Sequence, residues 1–134
     1  MEQHFPKETQ ALEAIFGFLD QFFSAHQVDG ASTYAIMLAV EEFFTNIVKY
    51  GGSKHGEVTI RATYEPQQVT VVIVDPDADQ FDPTQADAPP ENIPLEQKPI
   101  GGLGIHISRH MLDAVRYEYT DRKGTLTLVK NLEQ

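Results

Sequence analysis

The sequence contains no cysteine, and this absence limits its chemistry first. Disulfide bonds, thiolate metal sites and cysteine nucleophiles are excluded, and nothing indicates an oxidising compartment. Long hydrophobic runs are also missing. The longest, such as "AIMLAV" and "VVIV", are too short to cross a bilayer, and the polar start "MEQHFPKETQ" does not resemble a signal peptide. We therefore expect a cytoplasmic protein that does not enter a membrane.

Basic residues are scarce. Ten Lys and Arg stand against 20 Asp and Glu, which gives a formal net charge of −10. Such a surface repels nucleic acid and anionic membranes, and no basic patch interrupts it. An anionic nucleotide can still bind an acidic protein where its phosphates meet backbone N–H groups and a metal ion.

Apolar spacing predicts two amphipathic helices in the first 50 residues. One covers residues 7–26, and its apolar stripe consists of Leu12, Ile15, Phe16, Leu19, Phe22 and Phe23. The segment "VDGAS" interrupts the pattern, and Ser32 or Thr33 is placed to cap the second helix. The second stripe consists of Ile36, Val40, Phe43, Ile47 and Tyr50, and "GGSKHG" follows it.

The rest of the chain predicts two hairpins separated by a long connection. The β-rich segments are residues 57–64, 68–74, 115–119 and 125–129. Five prolines between Pro83 and Pro99 favour a lid at about 83–100, and a helix follows from "GGLGI". Residues 1–134 are therefore predicted to form a single α+β domain, a two-layer sandwich with helices on one face of a mixed, mainly antiparallel sheet.

The acidic loop in "VIVDPDADQFDP" raises the question of a calcium site. Asp75, Asp77 and Asp79 alternate as at the start of an EF-hand loop. However, Gln80 and Ala86 occupy the positions where that loop requires Gly and Glu, and a strand rather than a helix precedes it. A solvated acidic turn is the simpler interpretation of this stretch taken alone.

Two pairs at helical i, i+4 spacing are further candidates. His106 and His110 could chelate a metal, although no carboxylate completes a metalloprotease motif and such pairs are usually surface or packing residues. Glu42 and Asn46 lie on a flank of the second helix at the border of the core. The carboxylate there could act as a general base and the amide oxygen could hold Mg²⁺, or both could be ordinary exposed side chains.

The glycine-rich segment "PIGGLGIH" has a clearer meaning. Gly101, Gly102 and Gly104 open a helix whose free N–H groups and dipole favour phosphate. The preceding strand and the last glycine of the dinucleotide motif are absent. A flexible hinge before the helix is the alternative interpretation.

Taken together, "EEFFTNIVKYG", the "FDP" loop, the lid, "GGLGIHISRHMLDAVRYEY" and "GTLTLVK" resemble the anti-sigma-factor serine kinases of the GHKL ATPase superfamily. The likeness covers roughly residues 8 to 130 in the family's order. It implies the histidine-kinase-like ATPase fold with ATP and Mg²⁺. It also implies two partners, a sigma factor and an anti-anti-sigma protein whose serine is phosphorylated. A homodimer through an N-terminal edge strand is possible, although only "MEQHF" is available for that strand.

The resemblance also assigns roles to residues. Asn46 would bind Mg²⁺ in the ATP site, and Glu42 would take the proton from the partner's serine. Four further residues would contact ATP: Gly102 and Gly104 beside the phosphates, Lys98 at the γ-phosphate, and Thr125, with Thr127 as the alternative, near adenine.

The acidic loop departs from the family's Asp-x-Gly motif. A gap-free alignment on "FDP" puts Pro76 at the Asp position and Ala78 at the Gly position, so Asp75 or Asp77 would have to contact adenine. An alanine at a left-handed glycine position would cost on the order of 1 kcal/mol, and loss of the charged hydrogen bond about 1.5–3 kcal/mol. Two functions therefore stay open: an ATP-dependent serine kinase, and a partner-switching module without nucleotide turnover. A histidine-kinase catalytic domain is less favoured, because no phosphoacceptor helix is present.

Overall fold

Two long helices and five strands make up the part of the chain that the computed structural model describes, namely residues 1–50, 56–79, 83 and 110–132. The helices are α1 (Leu12–Ala25) and α2 (Gly30–Tyr50), and a 3-10 turn, Thr9–Ala11, precedes α1. The strands are β1 (Glu2–Pro6), β2 (Glu57–Glu65), β3 (Gln68–Asp75), β4 (Ala114–Thr120) and β5 (Lys123–Asn131). The predicted lid at 83–100, apart from Pro83, and the predicted helix up to residue 109 lie outside the described residues.

The strands form one sheet in the order β1-β2-β3-β5-β4, and each neighbouring pair is antiparallel. The prediction of an α+β fold with both hairpins is confirmed, and among the described strands no parallel pair is present. The short N-terminal segment does form an edge strand, which pairs with β2 so that Phe5 lies opposite Val58.

The core lies between the sheet and the two helices. Alternate residues of each inner strand face the helices because strand side chains alternate in direction. Those of β3 are Val69, Val71 and Ile73, and the corresponding residues of β5 are Leu126 and Leu128. The helices supply their apolar stripes, including Ile15, Leu19, Phe43 and Phe44, all fully buried. No helix in the described ranges is long and apolar enough to cross a membrane.

The first helix begins at Leu12, later than the predicted start at residue 7. The buried side chains alternate from Phe5 to Lys7, which is only 4% exposed, while Pro6 and Glu8 are exposed. The 3-10 turn then leads into α1 at Leu12. The predicted start at residue 7 is therefore wrong, because Lys7 belongs to the β1 side of the fold.

The N-terminus of α2 is capped by Asp29 rather than by Ser32 or Thr33. An Asp29 carboxylate oxygen, Oδ2, accepts a hydrogen bond of 2.9 Å from the backbone N–H of Ser32. This hydrogen bond is the main reason why the pKa of Asp29 is lowered. Ser32 is a buried residue in the first turn of α2. The capping residue therefore lies three positions before Ser32 and four before Thr33, and the predicted cap is wrong.

Both hairpin turns contain residues in the left-handed region. Gln67 in the β2–β3 turn has φ 75°, and the β4–β5 turn has Asp121 at φ 50° and Arg122 at φ 64°. Two successive positive φ angles are typical of a type I′ hairpin turn, which usually contains Asn or Gly. Arg122 is therefore an unusual residue at this position.

Candidate active site

The middle of α2 brings two of the predicted site residues to the end of the sheet. Glu42 and Asn46 are both half-buried, at the border of the core where the helical spacing predicts them. The amide nitrogen of Asn46, Nδ2, donates a 3.0 Å hydrogen bond to the carbonyl oxygen of Pro83. The amide of Asn46 thus contacts the chain at the point where the predicted lid begins.

The surroundings of Glu42 raise the pKa of its carboxyl group. Burial raises the pKa of Glu42 because the ionised carboxylate loses hydration, and the neighbouring Glu41 raises it further, whereas Lys49 opposes the change. A carboxylate with a raised pKa is closer to the range in which it can exchange protons at neutral pH.

A small cavity lies between α2 and the ends of β3 and β5. Its volume is about 10 Å³, roughly the space of one water molecule. A purine base is many times larger, so its entry would require lining groups to move. The cavity is lined by Ile47, Ile73, Asp75, Ala78, Pro83, Tyr117, Gly124 and Leu126.

Asp75 is the charged residue among these lining groups. It continues the helix-facing series of β3, two residues after Ile73, and is only 4% exposed. The alternation of β3 therefore determines its direction. Pro76 and Asp77, in contrast, are exposed. Pro76, which the gap-free alignment puts at the Asp position, does not line the cavity, and neither does the alternative Asp77. Asp75, which a one-residue shift of the alignment selects, does line it.

The carboxylate of Asp75 is already paired within the chain. The ammonium nitrogen of Lys7 lies 2.6 Å from Oδ2 of Asp75, and the two side chains are 1% and 6% exposed. No described group donates a well-directed hydrogen bond to this oxygen, but the short separation marks a direct ion pair. The other oxygen, Oδ1, accepts the backbone N–H of Asp77 at 3.2 Å. Lys7 was missed in the sequence, although it shares the strand-type alternation with buried Phe5.

The acidic loop (residues 75–79) is also attached to the β4–β5 turn. The Ala78 N–H donates to the carbonyl oxygen of Arg122 at 2.7 Å, and the Tyr119 hydroxyl donates to the Ala78 carbonyl oxygen at 3.2 Å. The Arg122 guanidinium donates to Asp77 at 2.8 Å and to Asp79 at 3.3 Å. Asp75 therefore pairs with Lys7, whereas Asp77 and Asp79 share Arg122. The described residues contain no cluster of three or more metal-ligating side chains.

The expected conformational cost at Ala78 does not arise. The non-glycine residues with positive φ in the described part are Gln27, Gln67, Asp121 and Arg122, and Ala78 is not among them. The loop forms without a left-handed residue at position 78, and the left-handed pair lies across from it in the β4–β5 turn. Ala78 therefore does not carry the expected steric cost of about 1 kcal/mol for a left-handed conformation.

Thr125, which the family resemblance places near adenine, does not line this cavity. Leu126 and Leu128 are buried on the helix-facing side of β5, so Thr125 and the alternative Thr127 point to the opposite face of the sheet. Gly124 lines the cavity instead. A Cβ atom at Gly124 would lie 2.7 Å from the hydroxyl oxygen of Tyr117, so the glycine provides the space that this ring occupies.

The remaining candidate residues lie on or next to the predicted lid and the helix after it. Lys98, Gly102, Gly104 and His106 lie outside the described residues. His110 is described and exposed.

Comparison with known proteins identifies the family. Residues 5–130 match the histidine kinase-like ATPase domain. The chain belongs to this family. The histidine kinase-like ATPase domain is thus almost the whole chain, and the resemblance to GHKL ATPases is confirmed.

Relatives of this histidine kinase-like ATPase domain include protein kinases. The chain is 30% identical over 100 residues to serine/threonine-protein kinase BtrW of Bordetella bronchiseptica, a match that covers 73% of this chain and 70% of BtrW.

Solved structures show the same fold. The RsbU and RsbW domains of Rv1364c from Mycobacterium tuberculosis match all of this chain with a TM-score of 0.71 and 14% identity. This chain spans 33% of that protein. The SiaB–SiaC complex from Pseudomonas aeruginosa matches 97% of this chain with a TM-score of 0.58 and 13% identity, over 88% of the matched chain.

Proposed function

We propose that this domain is an ATP-dependent protein-serine kinase of the anti-sigma type. The observation that carries the proposal is the arrangement at the end of the sheet. There the Asn46 amide contacts Pro83, and Glu42 lies about one helical turn before Asn46 on α2. The buried carboxylate of Asp75 lines the same cavity as Ile47, the residue after Asn46. The similarity to BtrW, a serine/threonine-protein kinase, supports kinase activity but does not identify a substrate.

Each of the three polar residues has a distinct proposed role. Asp75 would accept a hydrogen bond from the adenine amino group in a site where an acceptor is buried among apolar residues. Asn46 donates through its nitrogen to Pro83, which leaves its amide oxygen available to a hard cation such as Mg²⁺. A bound Mg²⁺ would neutralise charge on the phosphates.

Glu42 would act as the general base. The partner's serine hydroxyl oxygen forms the new bond to the γ-phosphorus while its proton passes to the Glu42 carboxylate. The bond between the γ-phosphorus and the bridging oxygen breaks, and ADP leaves. The raised pKa of Glu42, caused mainly by burial, suits a residue that must accept this proton.

Two partners fit this activity. One is an anti-anti-sigma protein that carries the serine, and the other is a sigma factor that is released or held according to the phosphorylation of that serine. We place the reaction in the cytoplasm. A homodimer through the exposed side of β1 is a further part of the proposal, supported by the formation of this edge strand.

A second function is favoured by a specific observation. The carboxylate of Asp75 is already held in a buried ion pair with Lys7. This pairing fits a module that keeps the fold, binds the same partners and does not turn over nucleotide.

Transfer of phosphate to the anti-anti-sigma protein tests the proposal. The protein is incubated with Mg²⁺, ATP and this partner, and the product is examined by mass spectrometry for phosphoserine. We expect Glu42→Gln to lower the rate by at least about 10²-fold while nucleotide affinity is kept, with Glu41→Gln as the matched control that retains transfer.

Three results would revise the proposal. Wild-type rates in Glu42→Gln would remove Glu42 from the mechanism. Phosphohistidine on the partner would indicate histidine-kinase chemistry. Partner binding without any transfer or nucleotide dependence would favour the second function.

A further inference from the structure

Two basic residues from opposite ends of the chain hold the acidic loop. Lys7 follows the first strand, and Arg122 lies in the last hairpin turn. The Lys7 ammonium contacts the Asp75 carboxylate at 2.6 Å and donates to the carbonyl oxygen of Asp77 at 3.3 Å. It therefore spans the turn formed by residues 75–77.

Arg122 holds the same loop from the solvent side. Its guanidinium pairs with the Asp77 carboxylate at 2.8 Å and with Asp79 at 3.3 Å, and its carbonyl oxygen accepts the Ala78 N–H at 2.7 Å. Arg122 makes these contacts from a left-handed backbone with φ 64°, which is unfavourable for a side chain of this kind. An unfavourable conformation persists only where surrounding contacts maintain it.

The two sets of contacts meet at Asp77. Lys7 binds its backbone carbonyl and Arg122 binds its carboxylate. Pro76 restricts its own φ but has no N–H to donate, so the hydrogen bonds to this turn come from the groups around it. The direction of the Asp75 carboxylate depends on this turn because Oδ1 accepts the Asp77 N–H.

We propose that Lys7 and Arg122 are positioning residues that fix the acidic loop, and with it the Asp75 carboxylate, in the conformation used for nucleotide binding. The loop geometry is a property of the protein without ligand. The consequence for nucleotide rests on the proposed function.

Exposed ion pairs alone are weak, which makes the arrangement of contacts important. The side chains of Arg122 and Asp77 are 54% and 53% exposed, and a single pair of this kind contributes little. Here, however, one residue supplies two ion pairs and a backbone acceptor to a five-residue loop, and the opposite side is held by a pair that solvent does not reach. Release of the exposed Arg122 side should therefore loosen the loop more than it destabilises the whole fold.

Amide hydrogen exchange of the full chain without nucleotide tests the loop directly. Arg122→Gln is compared with Lys123→Gln, which removes the same charge from the neighbouring position. We expect the Ala78 and Asp77 amides to exchange about tenfold faster in Arg122→Gln and to stay at the wild-type rate in Lys123→Gln, while amides of β2 and β3 are unchanged. Equal exchange at Ala78 and Asp77 in both variants would overturn the proposal.

The nucleotide measurement separates positioning from general damage. In Arg122→Gln we expect the KM or Kd for ATP with Mg²⁺ to rise about tenfold, with kcat at saturating ATP and partner affinity unchanged. Lys7→Arg should retain more ATP affinity than Lys7→Met, because it keeps a cation on Asp75. Should Lys7→Met fail to fold, Lys7→Arg and Arg122→Gln still decide the outcome. A loss of kcat with unchanged KM in Arg122→Gln would contradict a positioning role.

Failure of the proposed function gives a different result. If the wild-type protein binds neither ATP nor ADP, the kinase proposal is wrong, and the exchange rates of the loop amides alone decide whether Lys7 and Arg122 fix the loop.

Discussion

At the scale of single residues, the protonation of Glu42 offers the sharpest link between structure and activity. Its pKa is raised first by burial and then by Glu41, while Lys49 lowers it. A general base must be deprotonated, so the rate should fall as the pH falls through this raised pKa. The acidic limb of the profile should therefore lie at higher pH than an exposed glutamate would give.

Two charge-removing variants should move this limb in opposite directions. Glu41→Gln removes a like charge, lowers the pKa of Glu42 and moves the limb to lower pH. Lys49→Gln removes an opposite charge, raises that pKa and moves the limb to higher pH. The measurement is kcat/KM for phosphotransfer against pH, and a limb that both variants leave in place would exclude Glu42 as its origin.

The buried ion pair of Lys7 predicts a large change in stability. Lys7→Met leaves the Asp75 carboxylate buried without its partner, and we expect the free energy of unfolding to drop by about 3–5 kcal/mol. Arg61→Met is the matched control, since it breaks an exposed pair with Glu2 and should cost no more than about 1 kcal/mol.

Urea unfolding measures both values. The double variant Lys7→Met/Asp75→Asn should recover part of the loss because no unpaired charge remains. Similar small losses in Lys7→Met and Arg61→Met would show that the pair is not buried in solution.

At the scale of secondary structure elements, the hairpin turns contain measurable strain. Gln67 has φ 75° in the β2–β3 turn, where glycine has no steric penalty. Gln67→Gly should raise the free energy of unfolding by up to about 1 kcal/mol. The larger conformational entropy that glycine gives to the unfolded chain reduces this gain. Gln68→Gly, one residue later in β3, should lower it. Thermal or urea unfolding decides, and equal losses in the two variants would contradict the strained turn.

The elements also show what the sequence can and cannot predict. Alternation in β3 predicts the strand and, continued by two residues, the inward direction of Asp75. The start of α1 could not be located by apolar spacing, because that spacing begins at Leu12 and gives no information on whether Lys7 is helical or extended.

The face of β5 on which Thr125 lies could not be predicted from its own segment. Thr and Leu alternate in "TLTLV", and the prediction took the threonine from the family pattern. Packing against the helices selects the leucines for the inner face, which leaves Gly124 in the cavity. The partners of Asp75 and Asp77 depend on contacts between residues some 70 and 45 positions apart, and no local pattern contains them.

At the scale of the whole molecule, the candidate site is assembled from the complete fold. Lys7 comes from the segment just after the edge strand, and α2 supplies Glu42 and Asn46. The central strand supplies Asp75, and the last hairpin supplies Arg122. Antiparallel pairing brings the N-terminal strand beside β2, and the sheet order places β5 next to β3. The site should therefore be lost together with the fold rather than in separate steps.

Binding of ATP and ADP in the presence of Mg²⁺ can be measured by calorimetric titration. Asn46→Ala removes the proposed cation ligand, and Thr45→Ala on the same helix is the matched control. We expect a dissociation constant on the order of micromolar, with binding at least about tenfold weaker in Asn46→Ala and unchanged in Thr45→Ala. Absence of heat and of any rise in unfolding temperature at millimolar nucleotide would contradict it and leave a partner-binding module.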